Sequence, residues 1–302
     1  DGRYTCTESK SLWSGNFLNW ASMSRVDVIR KMLYGGKRST DEVPSKIGSM
    51  TTTVLERANL SQDAHSFVKH YWGTDIRDYT PFTTMALTKI TGSNAGMYAG
   101  LTLCSRSDVM GEQGNPVIRL AKGNYRMWGS VDGVVCEWDQ GNLGRKLARY
   151  FKDSDKGNGG ISHEEIVANR TLDGAIYDGI GPDLTVRVRV CVPSLLGEER
   201  CQAFPADASY NYKPYGLFQE FGLGRSVNNA ARAEFGVITG SYDKNLTAGA
   251  LRKNMGDFSD EINAANGVFC HNPGSGCSST SDGRIMGNGA IKAMDAFLLY
   301  GR

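Results

Sequence analysis

Residues 153–165, DSDKGNGGISHEE, concentrate oxygen donors and glycine as a calcium loop does. Ca2+ takes oxygen ligands. An EF-hand loop supplies them from its first, third and fifth positions, a backbone carbonyl and a closing bidentate Glu, with Gly at the sharp turn. Asn158, Gly159, Gly160, Ile161 and Glu165 match the second half of that pattern in register, and Asp153 and Asp155 match the first half once one extra residue is accommodated near Gly157. The expected ligands are therefore Asp153, Asp155, Asn158, Gly160 and Glu165, with Ca2+ as the cofactor. The competing reading is an acidic, Gly-rich loop leading into a helix capped by Ser162 and Glu165.

Acid–base chemistry has fewer candidates. There are only 4 histidines. His65 and His70, in DAHSFVKH, are spaced so that they do not share a helix face as HExxH ligands do. Asp63 and His65 suit a secreted metal-dependent hydrolase, the alternative class, but no Ser or Cys nucleophile signature accompanies them. GLGRS and GNG lack the strand–loop–helix context of a phosphate loop. A calcium-stabilised extracellular binding module is a third class.

The 7 cysteines bear on compartment. None forms a CxxC pair, which argues against a zinc ribbon or a thioredoxin-type motif. Cys191 and Cys201 flank VPSLLGEER, and Cys270 and Cys277 flank HNPGSG, so each pair suits a local disulfide across a loop. Cys104 and Cys136 are further disulfide candidates, and the odd count points to a partner for Cys6 outside this chain. Disulfide use implies an oxidising, secreted environment.

The 302 residues, 40% hydrophobic and 22% charged, allow two ordinary domains or one elaborated domain. A net charge of +2 makes no case for nucleic acid or an anionic membrane. No apolar run approaches the roughly 20 residues of a membrane span.

The elements that must position these groups are read from periodicity. A helix is expected from about Ser14 to Tyr34, with Leu18, Ala21, Ser22, Arg25, Ile29 and Met32 along its core face and Gly35–Gly36 ending it. TTTVLER, 51–57, reads as a strand, and SQDAHSFVKHYW, 61–72, as a loop or short helix. MYAGLTLC, PVIRL and GNYRMWGSV read as strands, and NLGRKLARYF, 142–151, as a helix. DLTVRVRVCV, 183–192, alternates strictly, which buries its valines and turns Arg187 and Arg189 to solvent. KPYGLFQEFG carries a short helix, AEFGVITGSY, 233–242, is expected to be a buried strand, and Ala290, Ile291, Met294, Phe297 and Leu298 mark a last core helix.

WSGNFLNWASMSRVDVIRKMLYGG, TVLERANLSQDAHSF, VRVCVPSLLGEERC, YKPYGLFQEFG and ARAEFGVITGSYDKNLTAGALRKNMGDFSDEIN together resemble the PilY/PilC-type tip adhesins of bacterial type IV pili. The resemblance is weaker between about 75 and 180. It implies an α/β fold with a von Willebrand factor A-like doubly wound sheet, incomplete at its N-terminus. Residues 1–36 would supply the first helix of that core, 37–182 a large strand- and loop-rich insertion with the calcium loop, and 183–302 the remaining core elements. The DxSxS metal signature of such a sheet does not occur here: either it lies upstream of Asp1 or this member lacks it; Thr239 and Ser241 would lie near the sheet's active edge. The resemblance does not reach the family's C-terminal β-propeller, so the chain is expected to be a fragment, or the ordered part, of a larger tip protein. The implied function is non-enzymatic: a pilus-tip adhesin and assembly factor, exported through the periplasm to the cell surface. Its partners would be minor pilins and a host or abiotic surface.

Overall fold

The computed structural model describes residues 13–44, 48–60, 65–81, 100–108, 114–122, 136, 184–205, 209–224, 231–240, 249–270 and 289–296. The chain forms two compact units that interleave along the sequence. Unit 1 comprises Asp1–Ser22, Asn59–Val186 and Leu298–Arg302, and unit 2 comprises Met23–Ala58 and Arg187–Phe297. Residues 37–58 of the expected insertion thus share a unit with 187–297.

The opening apolar run is two helices, not one: α1, Gly15–Ser22, and α2, Arg25–Tyr34. Ser24 makes the break. Its backbone is extended (φ −87°, ψ 170°), its hydroxyl accepts the Asp27 N–H, and the Asp27 carboxylate accepts the Ser24 N–H at 2.8 Å. This reciprocal cap starts a fresh helix in the middle of a run whose apolar spacing alone reads as continuous. Gly35 ends α2 as expected, at φ 90°, where a Cβ would come within 2.6 Å of the Pro214 carbonyl carbon.

In unit 1, α1 is anchored by Ser14, whose hydroxyl accepts the Phe17 N–H at 3.4 Å and whose N–H donates to the Tyr79 carbonyl at 2.8 Å. Phe17 is buried at the hub of an aromatic cluster, with ring centroids 6.2 Å from Trp13, 5.4 Å from Trp20, 5.3 Å from Tyr71 and 5.8 Å from Tyr79. Trp13, Ser14 and Phe17, at the start of the expected helix, are therefore a packing device. β1 (Arg38–Asp41) and β2 (Thr53–Glu56) belong to unit 2. Unit 1 holds β3 (Phe67–Tyr71), a short α3 (Ile76–Tyr79), β4 (Leu101–Ser107), β5 (Pro116–Lys122) and β6 (Leu184–Thr185). These four strands make one antiparallel sheet in the order β3-β4-β5-β6. Within the segment read as a loop or short helix, Phe67–Tyr71 form strand β3, which pairs with residues 101–105 of β4, a strand buried throughout.

In unit 2, β7 (Arg187–Val190) completes the antiparallel sheet β1-β2-β7. Val188 and Val190 are buried and Arg187 and Arg189 exposed, as the alternation requires. The run read as one strand is shared out: β6 pairs with β5 and β7 with β2, with Val186 between them. Two hairpins follow, β8 (Cys201–Ala203) with β9 (Tyr212–Pro214), and β10 (Phe235–Gly240) with β11 (Gly249–Gly256). Helices α4 (Leu217–Gly222) and α5 (Ala290–Asp295) complete the described elements. The core joins Tyr34, Phe204, Phe218, Phe258, Phe269 and Ile291, with Phe235, Val237 and Met294 packed against it.

The class is mixed α/β. Every pairing among the described strands is antiparallel, and the doubly wound sheet is not among them. Two expectations about burial are corrected. β10 is half of an antiparallel ribbon, not a buried strand, and its Ile238 is 73% exposed. Ile29 and Met32 face outward on α2, because the inner face of that helix is taken by Asp27, Arg30 and Tyr34. No helix among the described residues is long and apolar enough to cross a membrane.

Candidate functional site

Inside unit 2, β1 and β9 bring Arg38, Asp41 and Lys213 together with side chains sealed from solvent. Asp41 Oδ2 accepts from Arg38 Nη1 at 2.6 Å and from the Phe269 N–H at 3.0 Å, and its Oδ1 accepts from Lys213 Nζ at 2.9 Å. Lys213 also donates to the Glu42 carbonyl at 2.7 Å and to Thr53 Oγ1 at 3.1 Å. Arg38 donates to the carbonyls of Gly267 and Pro214 and lies 3.7 Å from the centre of the Phe269 ring. Burial pulls the Lys213 ammonium below its ordinary pKa, and the Asp41 charge opposes that. Both Asp41 oxygens are spent inside the fold, so the centre ties β1, β9 and the segment around Phe269 together.

Two further carboxylates serve helix ends. Glu261, fully buried, accepts the N–H groups of Ala290 at 2.9 Å and Ile291 at 2.8 Å and so caps α5 from another part of the chain. Lys253 bridges Glu261 and Asp260; burial works against its charge, but these two partners outweigh it and hold its pKa above the lysine range. At the other end of α5, Arg30 donates to the Met294 carbonyl at 2.7 Å and the Asp295 carbonyl at 2.9 Å, and the Tyr34 hydroxyl donates to Asp295 Oδ1 at 2.5 Å. Burial raises the pKa of Asp295, and Arg30 opposes the shift. Burial also brings the Arg57 guanidinium down to about 10.

Among the described residues, Cys191, Glu199 and Cys201 form a further constellation, with ligand atoms within 4.8 Å of one another. As free thiolates this set would suit a soft divalent metal. However, Cys191 and Cys201 are joined in a disulfide with Cα atoms 5.6 Å apart, as expected from the loop they flank. Glu199 instead accepts the Cys191 N–H at 2.7 Å and holds that residue at φ 56°; burial raises its pKa. The loop so closed carries the Pro193–Leu195 turn and presents Leu195 to solvent.

Cys104 and Cys136 also form a disulfide, in unit 1. Cys270 is disulfide-bonded, and Cys277, its expected partner, lies outside the described residues. The expected calcium ligands Asp153, Asp155, Asn158, Gly160 and Glu165 lie outside the described residues as well, as do Asp63 and Ser241. His65 begins a single turn of half-buried chain before β3, and Thr239 lies on the β10–β11 ribbon, where it accepts from Arg252.

Sequence reasoning missed the outer face of α2, where Val28, Ile29 and Met32 are 55%, 48% and 52% exposed. The signal was present: Asp27, Arg30 and Tyr34 repeat at i, i+3 and i+7, a polar stripe at helical spacing whose partners lie far along the chain.

Residues 1–121 match a family model described as the PilY1 homolog small alpha/beta domain, and residues 235–302 match one described as the PilY1 homolog second domain. A type IV pilus biogenesis factor PilY1 homolog of Xylella fastidiosa (strain Temecula1 / ATCC 700964) is 33% identical over 269 residues, which cover 86% of this chain and 15% of that protein. A further match to a protein of the same name and source is 36% identical over 59 residues, 20% of this chain and 4% of that protein. The matched part of the chain thus spans 15% of the length of the first of these relatives and 4% of the second. No solved structure matches.

Proposed function

Because the chain belongs to the PilY1-homolog family of type IV pilus factors, we propose that it is part of a non-enzymatic tip protein acting in pilus biogenesis and surface attachment. The observation that carries the reading is the 33% identity over 269 residues, reaching across both units. Disulfides in each unit support export to an oxidising compartment, where Gly-rich loops need covalent ties. The described carboxylates Asp41, Glu261 and Asp27 are engaged in holding strands and helix ends, a pattern suited to a stiff scaffold. Minor pilins and a host or abiotic surface are the proposed partners. The von Willebrand factor A-like sheet belongs to the same proposal, as what the family resemblance implies. The test is fractionation of the native full-length protein. It is expected to copurify with sheared pili, and its loss to reduce pilus number; recovery solely in the cytoplasm with unchanged piliation would refute the assignment.

We further propose that Asp153, Asp155, Asn158, Gly160 and Glu165 hold Ca2+. Chelation is then expected to lower the melting temperature, and Asp153→Ala to abolish that sensitivity. A melting curve indifferent to chelator in the parent chain ends the claim.

A further inference from the structure

The inner face of α2 carries Asp27 and Arg30 beside the core residue Tyr34, while its outer face carries exposed Val28, Ile29 and Met32, the reverse of an ordinary surface helix. Arg25, Val28, Ile29 and Met32 recur at i, i+3, i+4 and i+7 and are all exposed. The helix cannot roll to bury them. Asp27 Oδ1 accepts the Ala58 N–H at 2.6 Å, Arg30 holds the Met294 and Asp295 carbonyls, and Tyr34 holds the Asp295 carboxylate. Any rotation would strand a carboxylate, a guanidinium and a phenol away from partners, which costs more than the apolar exposure. The outward apolar ridge is built into the fold.

Charge decides what fits the ridge. Arg25 and Lys31, both exposed, flank it. The one carboxylate of α2 is Asp27, which is buried with both oxygens engaged. Glu199, which Lys31 influences electrostatically, is committed to the Cys191 N–H. The ridge therefore offers an apolar stripe with a basic flank and no acid of its own. A second copy would set Arg25 and Lys31 against the same two cations.

We propose that the outer face of α2 is a docking ridge for an amphipathic helical segment of a protein partner, one with an apolar stripe at 3–4 spacing and an acidic flank. Three turns of α2, about 15 Å long, match such a segment of similar length. The proposal stands independently of the pilus reading.

The test uses three labelled helical peptides of equal length: one with a Leu stripe flanked by Glu, one with the same stripe flanked by Lys, and the Glu peptide with its order scrambled. Fluorescence anisotropy is expected to give saturable binding of the Glu peptide, with the other two at least about ten-fold weaker. Ile29→Glu, at an exposed position and checked for folding by circular dichroism, is expected to weaken the Glu peptide about ten-fold or more. The pair Arg25→Glu and Lys31→Glu is expected to invert the preference toward the Lys peptide. Equal binding of all three peptides, no saturable binding, or unchanged affinity in Ile29→Glu overturns the proposal. A concentration-dependent dimer in sedimentation that Ile29→Glu abolishes also overturns it, in favour of self-association.

Discussion

Asp41→Ala is expected to destabilise unit 2 by about 3–5 kcal/mol, read as a shift in denaturation followed by far-UV circular dichroism, because it strands two buried cations at once. Arg38 and Lys213 would face each other without the anion that separates them, and the Phe269 N–H would lose its acceptor. Lys213→Met should cost distinctly less. It leaves Arg38 and Asp41 as a matched pair, with the Lys213 stem replaced by apolar volume. Equal losses in the two variants would show that packing, not charge balance, governs the centre. The pH dependence sharpens the test. Burial lowers the Lys213 pKa in the folded chain, so the unfolded chain holds more protons between that value and the ordinary lysine range. Stability from this group therefore rises with pH through that window. Removing Asp41 removes the charge that opposes the shift, so the window widens. The alanine variant should regain part of its lost stability at alkaline pH, and a flat or falling profile would contradict the assignment.

That centre also marks where sequence reasoning stops. Local features were readable: the valine alternation of β7, the glycine stop at Gly35 and the disulfide across Cys191–Cys201 each rest on neighbours within about ten residues. The Asp41–Lys213 contact spans 172 residues, and each partner read alone is an ordinary surface charge. The same holds for α2. The spacing of Ile29 and Met32 reads as a core face, yet Arg30 donates to Met294 across 264 residues and these two side chains face outward. Ser24 is a different case, since its capping signature with Asp27 is local but sits inside a run whose apolar spacing reads as continuous. β10 looked buried because Phe235, Val237 and Ile238 are apolar; only Phe235 and Val237 pack on the core, and the ribbon holds Ile238 outward. The residues expected to hold calcium lie outside the described residues.

Phe258→Ala is expected to cost about 3–5 kcal/mol through a different mechanism, loss of volume at the centre of the aromatic core. Phe258 is fully buried, stacks on Phe218 with ring centroids 4.1 Å apart, and meets the edge of Phe235 at 5.8 Å. Lys253 Nζ lies 4.9 Å from the ring centre, so the cavity would open beneath a charged group. Collapse into that cavity is limited on the α4 side, where the Phe258 N–H donates to the Gly222 carbonyl at 2.8 Å. A Cβ on Gly222 would come within 3.1 Å of both Phe235 and Phe258, so the helix already sits as close as glycine permits. Phe258→Leu, which keeps most of the volume, should cost less than half as much. The measurement has an internal reference: all 5 tryptophans fall within unit 1, so their emission follows that unit while far-UV dichroism follows both. A loss that appears in dichroism with the tryptophan transition unmoved locates the damage in unit 2. A Phe258→Ala variant as stable as the parent by both probes would mean that the stacked rings do not hold α4 to the core.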